Sequence, residues 1–295
     1  MTKISIYLYV LVKKLCSRWL PTKIYLKLLY VLRFGHRLNL NMPLTFNEKL
    51  QWLKIYDHNP EYTNDVDKYL VRDKIQDIFG EKYLVPLLGC YKTPEEIKYE
   101  SLPDRFVLKC THGTHCSIAC TDKTKFDIDA ANQSLKKWMK HNYYYDAREW
   151  PYKNVRPRII CEEYICDNNN DLVDYKFLCF SGKVKYIMVH QDIFNEKGLH
   201  TLDLYTPSWE KTDIQWGIPN SSTTLPKPAC LNECIHICEI LSSGRPHVRV
   251  DLYIVDDKIY FGELTYYSAA GFKPFENYAD DERLGSLIQL KGYKS

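Results

Sequence analysis

Between Val248 and Gly271 the chain reads VRVDLYIVDDKIYFGELTYYSAAG. Apolar and polar positions alternate on either side of Asp256-Asp257-Lys258, which predicts a β-hairpin. With residues 256–258 as a three-residue loop, Val255 faces Ile259, Asp251 lies across from Glu263, and Arg249 lies across from Thr265. Side chains alternate along a strand, so these four charged and polar residues share one face. Val250, Leu252, Ile254, Tyr260 and Leu264 form the opposite, apolar face. A two-residue turn would send the two acids to opposite faces.

The same periodicity places the other elements. VDYKFLCF (173–180), Ser181-Gly182 and KVKYIMVHQ (183–191) form a second hairpin. RFVLKC (105–110) reads as a buried strand followed by the polar loop THGTHCS. RIICEEYI (158–165) reads as a strand running into an Asn-rich turn. Thr45-Phe46-Asn47-Glu48 matches a capping box, so a helix follows through about Tyr56. Asn64 caps a second helix, DVDKYLVRDKIQDIF, which Gly80 ends. Residues 127–141 and LNECIHICEILSS (231–243) are helical. Helices first, then helices mixed with hairpins, indicate an α+β fold. No internal repeat is present, and neither G-x-G-x-x-G nor G-x-x-x-x-G-K-[ST] occurs, so a dinucleotide-binding fold is not favoured.

Residues 1–41 form a distinct arm. Apolar stretches there alternate with Lys13, Lys14, Arg18, Lys23, Lys27, Arg33 and Arg37, and no acid is present. This suits a basic amphipathic helical pair on anionic lipid; the alternative is a helical arm packed on the main domain or a partner chain. ISIYLYVLV is too short to span a bilayer and lacks a cleavage site. Eleven cysteines without scaffold density point to reduced thiols. The expected location is therefore cytoplasmic, peripheral to the inner face of the membrane. With 45% apolar residues in 295 the chain can fill a core, and a net charge of +3 gives no electrostatic sign of a nucleic-acid partner.

Candidate chemistry starts from the hairpin acids. Directly opposed carboxylates, roughly 4.5–5.5 Å apart at Cβ, repel. A divalent cation offsets this, and Mg²⁺ commonly takes one or two carboxylates plus substrate phosphates. The alternative is a solvent-facing polar face with Arg249 bridging both acids. Lys109, at a strand end before a polar loop, is placed to meet phosphate alongside loop N–H groups. His112, His115, Cys116 and Cys120 fit no familiar zinc spacing, and Cys230, Cys234 and Cys238 fall on one helical face as a buried stripe. Glu162 and Glu163 point to opposite sides of a strand end. Asp174 and Lys176 share one strand face. No G-x-S-x-G elbow occurs.

The order of these signals carries more than each one alone: Lys68, strand Lys109, Glu162-Glu163-Tyr164-Ile165, Asp174-Tyr-Lys176-Phe, then Arg249-Val-Asp251 with downstream Glu263 and Thr265. This order resembles the ATP-grasp superfamily, and in detail its TupA-like branch, associated with teichuronopeptide and surface-polysaccharide synthesis. FNEKLQW, DYKFLCFSGKV and RVDLYIVDDKIYFGELT are the most specific stretches, and the likeness covers about residues 42–290. It implies two α+β subdomains clamping ATP between antiparallel sheets, with an ATP-binding part at about 103–165 and a metal-binding core at about 166–280.

The resemblance also implies roles. Lys68 and Lys109 would contact ATP phosphates beneath a loop carrying His112, Gly113, Thr114 and Ser117. Glu162 or Glu163, with the Tyr164-Ile165 backbone, would hold adenine and ribose. Asp174 would hold ribose, and Lys176 would reach nucleotide or substrate. Asp251, Glu263 and Thr265 would bind Mg²⁺, with Mn²⁺ as the alternative ion. Arg249 would steady the developing oxyanion, acting with Lys109 and Lys176 as the catalytic set. Thr265 departs from the asparagine found there in many ATP-grasp enzymes and is a weaker ligand. The implied activity is an ATP-dependent carboxylate–amine ligase, joining an amine or amino acid to a small-molecule or glycan carboxylate such as a uronic acid. Lys153, Arg156, Arg158, Tyr175 and the 268–274 loop are candidates for reading the acid. The rival reading is a sugar-nucleotide glycosyltransferase. No clear D-x-D metal motif stands in a transferase-like context; Asp127-Ile-Asp129 has the letters but sits at a predicted helix start.

Overall fold

The computed structural model describes residues 3–166, 173–191 and 200–290. In chain order the elements are α1 (Lys3–Cys16), α2 (Thr22–Phe34), α3 (Phe46–Tyr56), α4 (Glu61–Val66) and α5 (Val71–Phe79). Strands β1 (Leu87–Tyr91), β2 (Phe106–Cys110) and β3 (Ser117–Cys120) come next, then α6 (Ile128–Met139), α7 (Tyr144–Ala147) and β4 (Ile159–Glu163). The remainder is β5 (Asp174–Phe180), β6 (Lys183–Gln191), β7 (Thr201–Tyr205), α8 (Leu231–Ser242), β8 (His247–Val255), β9 (Lys258–Thr265) and α9 (Tyr278–Ser286). The chain divides into two compact units, one of residues Met1–His58 with Val173–Ser295 and one of Asn59–Leu172.

The Asn59–Leu172 unit is built on a four-stranded sheet in the order β1-β4-β2-β3, with antiparallel pairing throughout. Phe106, Leu108 and Cys110 of β2 alternate onto the face that also carries Ile159 and Cys161 of β4, and Leu135 of α6 joins them in the core. The other face presents Val107, Lys109, Ile160 and Glu162. The single helix expected over 65–79 is two helices. Asp67 ends the first, and its carboxylate accepts from the Tyr69 and Leu70 backbone N–H groups (2.9 and 3.4 Å), local bonding that competes with helix continuation. Gly80, at φ 95°, ends α5 as expected. Tyr164 and Ile165 lie beyond β4, and the Asn-rich turn after them is outside the described residues.

The other unit holds a five-stranded antiparallel sheet, β7-β6-β5-β8-β9. One face packs on α8 through Cys234, Ile237, Cys238 and Leu241, so two of the three striped cysteines are core; Cys230 caps the helix and is half-buried. On the opposite face, pairing aligns Phe180 with His247, Leu178 with Arg249 and Lys176 with Asp251. The aromatic end of that face is closed by Phe46 of α3, whose ring lies 6.1 Å from Phe180 and 5.0 Å from His247. Burying a phenylalanine fully contributes about 2–3 kcal/mol. The expected capping box is present: Thr45 accepts from Glu48 N, and the Glu48 carboxylate accepts from Thr45 N.

The β8–β9 hairpin corrects the expected loop. Asp256 and Asp257 form a two-residue turn with φ of 49° and 61°, and Val255 pairs with Lys258 rather than Ile259. Such a turn alone would separate the acids. A β-bulge between Asp251 and Leu252 restores the register, opposing Leu252 to Phe261 and Asp251 to Glu263. The inserted residue is Gly262, where a Cβ would sit 3.0 Å from the Asp251 carbonyl oxygen. In consequence Tyr260 pairs with Tyr253 on the acid side of the hairpin, and Phe261 and Ile259 take its expected place in the core.

Both arm helices form. On α2, Tyr25, Leu26, Leu29 and Tyr30 are buried, and Tyr9 of α1 meets Phe272 edge-on at 6.1 Å. Ile4, Tyr7, Val10, Leu15 and Trp19 remain exposed, Trp19 by 85%. No helix among the described residues is long and apolar enough to cross a membrane.

Candidate active site

Three adjacent strands of the five-stranded sheet bring a charge row together. Lys176 on β5 opposes Asp251 on β8, which opposes Glu263 on β9, while Arg249 opposes Thr265. Arg249 Nε and Nη2 donate to the two Asp251 carboxylate oxygens at 2.6 Å each. Nη2 also reaches Glu263 Oε1 (3.2 Å) and Thr265 Oγ1 (3.0 Å), and the Thr265 hydroxyl donates to Glu263 at 3.1 Å. Lys176 Nζ bridges Asp174 and Asp251, at 2.9 Å to the latter. All four residues expected on one face are there, and Asp174 and Lys176 join them.

Electrostatics follow from burial. Asp251 is 2% exposed. Burial opposes charge on Arg249 and Lys176, yet Asp251 with Glu263, and Asp251 with Asp174, hold the two cations above their ordinary values. Burial pushes Asp174 up to about 6 against the pull of Lys176. Its Oδ1 is buried with no hydrogen-bond partner among the described residues.

These residues fit a hard cation. No group of three or more His, Cys, Asp or Glu among the described residues is arranged to hold a metal by itself. Two carboxylates and a hydroxyl on one face have the donor chemistry that Mg²⁺ would need from the protein, with phosphate oxygens as its other ligands. Arg249 now neutralises that same set, which is the bridging arrangement the sequence offered as an alternative.

The Asn59–Leu172 unit carries the other expected residues. Lys109 Nζ and Arg72 Nη1 each lie 2.7 Å from one oxygen of Glu162, and Arg72 Nη2 donates to the Val85 carbonyl. Lys68 Nζ donates to the Gly113 carbonyl at 2.7 Å, tying that lysine to the 111–116 loop. Ser117 is exposed and Thr114 half-buried, whereas His112 is buried, with Nε2 3.1 Å from the Trp138 carbonyl. Burial lowers its pKa. Glu163 is exposed at the end of β4, the Arg105 guanidinium lies 4.3 Å from the Tyr164 ring centre, and Ile165 is half-buried.

Two of the acid-reading candidates are already engaged. Arg158 is paired with Asp67 at 2.6 Å, and Tyr175 is buried on the α8 side of β5, away from Lys176. Arg72 was not singled out in the sequence. Its one signal is its place a helical turn beyond Lys68.

The two antiparallel sheets with this lysine and acid set define an ATP-grasp fold. The TupA-like ATP-grasp family model matches residues 48–289, and the chain belongs to that family. No curated protein matches the chain. Among solved structures it resembles D-alanine–D-alanine ligase from Bacillus anthracis (15% identity, 74% of this chain and 57% of that one, TM-score 0.39). It also resembles the Helicobacter pylori D-alanine–D-alanine ligase (13% identity, 82% and 69%, TM-score 0.43) and the ATP-grasp ligase PsnB complexed with a minimal precursor (9% identity, 75% and 59%, TM-score 0.42). The chain spans less than two thirds of the length of the B. anthracis ligase and of PsnB. The family assignment rests on the family model, not on these distant likenesses.

Proposed function

We propose that the chain is an ATP- and Mg²⁺-dependent carboxylate–amine ligase that joins an amine or amino acid to an organic acid, the acid being a uronic acid of a surface polysaccharide or its precursor. The observation that carries the reading is the Lys176–Asp251–Arg249–Glu263–Thr265 array on one sheet face of an ATP-grasp chain. The polysaccharide part rests on the association of the TupA-like branch.

A carboxylate is a poor acyl donor because oxide would have to leave. In the proposed reaction its oxygen takes the γ-phosphoryl group of ATP, giving an acyl phosphate and ADP. The amine nitrogen then attacks the acyl carbon, the C–O bond to phosphate breaks, and the amine proton passes to solvent. A bound Mg²⁺ supplies charge neutralisation at the transferring phosphate. Asp251, Glu263 and Thr265 would hold it. Arg249 and Lys176, charged and held in place by their acids, would stabilise negative charge on the phosphoryl oxygens and the tetrahedral oxyanion. Lys109 and Lys68 would meet ATP phosphates, Glu162, Glu163 and the Tyr164-Ile165 backbone would meet adenine and ribose, and Asp174 would accept from a ribose hydroxyl.

Thermal stability with ATP or UDP-sugars, each with and without Mg²⁺, tests the reading. A ligand at a hundredfold its Kd stabilises by about 2.7 kcal/mol. The expected result is a Mg²⁺-dependent ATP shift that Lys109→Ala removes, followed by phosphate release with acid–amine pairs. A shift with UDP-sugars alone sinks the ligase and favours a glycosyltransferase.

In the same proposal the arm would bring this chemistry to a membrane surface. The exposed apolar side chains of α1 and Trp19 lie beside Lys13, Lys14 and Arg18, in a stretch with no acid before Glu48. Co-sedimentation with phosphatidylglycerol vesicles but not phosphatidylcholine vesicles is the expected outcome. Equal recovery from both, or none, contradicts lipid contact through charge.

A further inference from the structure

The segment after β9 is held with unusual care. Ala269 and Ala270 both lie in the left-handed region, at φ 48° and 53°, which costs on the order of 1–2 kcal/mol at each non-glycine residue. Every carbonyl from Ala270 to Lys273 is then gripped by a side chain. Lys54 Nζ donates to Ala270 O at 2.7 Å, and Gln51 Nε2 to Gly271 O at 2.7 Å. Arg33 Nε donates to Phe272 O at 2.7 Å. Asn47 Nδ2 and Trp216 Nε1 donate to Lys273 O at 3.2 and 3.0 Å. Gly271 leaves no room for a Cβ, which would lie 2.4 Å from Gln51 Nε2. Most of the polar side chains of FNEKLQWLK are thus spent on fixing this backbone.

The side chain so presented is Lys273. Its stem packs on Gly217, and its ammonium lies 5.9 Å from the Trp216 ring centre. Among the described residues it has no carboxylate and no hydrogen-bond acceptor. Its charged surroundings are cationic: burial first, then Arg249, lower it to about 8. His190 on β6 stands nearby as a neutral imidazole, kept so by burial and by Lys176, Lys273, His200 and Arg249, with its Nδ1 2.8 Å from His200 Nε2. A half-buried cation with cationic neighbours and no acid of its own is a site for an anion. With Nδ1 taken by His200, the free Nε2 of this neutral histidine either donates to or accepts from a ligand hydroxyl, as the tautomer dictates.

We propose that Lys273 reads the acid substrate: its ammonium, presented from the clamped 268–273 loop, receives the carboxylate of a hydroxylated organic acid. The inference rests on the ligase reading above and selects one residue and one ligand class within it. The loop's rigidity has a purpose here, since an ordered cation loses little entropy on binding a weakly held acid.

Calorimetric titration of the full chain, carrying Mg²⁺ and a non-hydrolysable ATP analogue, with D-glucuronate as the probe tests this. Lys273→Met keeps the stem over Trp216 and removes the charge, and should weaken glucuronate by about tenfold or more while leaving the analogue's affinity unchanged. Lys273→Arg should retain binding. The ammonium is charged below about pH 8, so wild-type affinity should be flat below that pH and fall above it. The arginine variant should show no such fall. Equal affinity in Lys273→Met, no glucuronate binding by a chain that binds the analogue, or loss of the analogue in Lys273→Met each overturns the assignment, the last by making Lys273 a phosphate contact. A wild-type chain that binds no analogue removes the ligase reading itself and this inference with it.

Discussion

Asp251 is the residue on which the charge row turns. Both its oxygens accept from Arg249, and one also accepts from Lys176. Asp251→Asn preserves shape and removes the shared counter-charge of two cations whose side chains are 12% and 14% exposed. Glu263 still serves Arg249 and Asp174 still serves Lys176, so the fold should survive with a loss of about 1–3 kcal/mol in urea denaturation. Any ligase turnover should drop by about 100-fold or more, together with the Mg²⁺-dependent part of the ATP shift. A variant that unfolds at the same urea concentration and turns over normally would show that Asp251 neither holds the row nor the ion. The pairing behind this prediction is legible from the two strands of a recognisable hairpin, although a loop one residue shorter than expected and a bulge at Gly262 together produce it. Arg72 carries no sequence signal of this kind, and Lys273 is marked only as one position of the 268–274 loop. Arg72 acts through contacts with Glu162 and Val85, and Lys273 is brought to Arg249 by Asn47 and Trp216, partners far away in sequence.

At the scale of the element, the β8–β9 hairpin reached the expected acid pairing by a different route. The turn is one residue shorter than expected, and Gly262 restores the count by a bulge. Alternation shows which residues of one strand segment share a face, but across the bulge it misplaces Tyr260. It does not show where a shorter turn and an inserted residue compensate each other. The strand β1 was also hidden, because LLGCY is half-exposed and contains glycine, and β7 because TLDLY buries Asp203 among its apolar residues. Asp203 is tolerated there by Lys211 at 3.0 Å, Gln191 and the Ser221 N–H. The turn supports a prediction. Asp257 holds φ 61°, a conformation glycine adopts without steric cost. Asp257→Gly should raise stability by up to about 1 kcal/mol, because αL strain is removed and outweighs the added freedom of the unfolded chain. A lower urea midpoint would show that the aspartate stabilises the turn by bonding that outweighs its strain.

The whole molecule keeps several histidines neutral by burial, and this makes its stability depend on pH in a definite sense. His247 is fully enclosed, its Nδ1 2.9 Å from the Cys179 carbonyl and its ring against Phe46 and Phe180. Burial lowers it to about 3, and His190 likewise, while His112 in the other unit is lowered as well. Unfolded, each takes a proton near its ordinary 6.5. Between about 6.5 and 3 the unfolded chain therefore binds protons that the folded His247 and His190 refuse, so the stability these histidines contribute falls as pH falls through that window and is constant above it. Each such histidine contributes a slope on the order of 1.4 kcal/mol per pH unit. Asp174, raised to about 6, works in the opposite sense between there and its ordinary 3.8, because the folded state holds its proton longer; Asp280 and Asp281, also raised by burial, act in the same direction, and together they offset part of the histidine effect. Urea denaturation at pH 8, 6 and 5 should show declining midpoints. His247→Phe keeps the aromatic packing, gives up one hydrogen bond worth about 1 kcal/mol at pH 8, and removes one titrating group. Its decline between pH 6 and 5 should be shallower than wild type by up to about 1.4 kcal/mol. Parallel pH profiles for variant and wild type would mean that His247 accepts its proton within the fold, and that the aromatic end of the sheet opens to water before the rest unfolds.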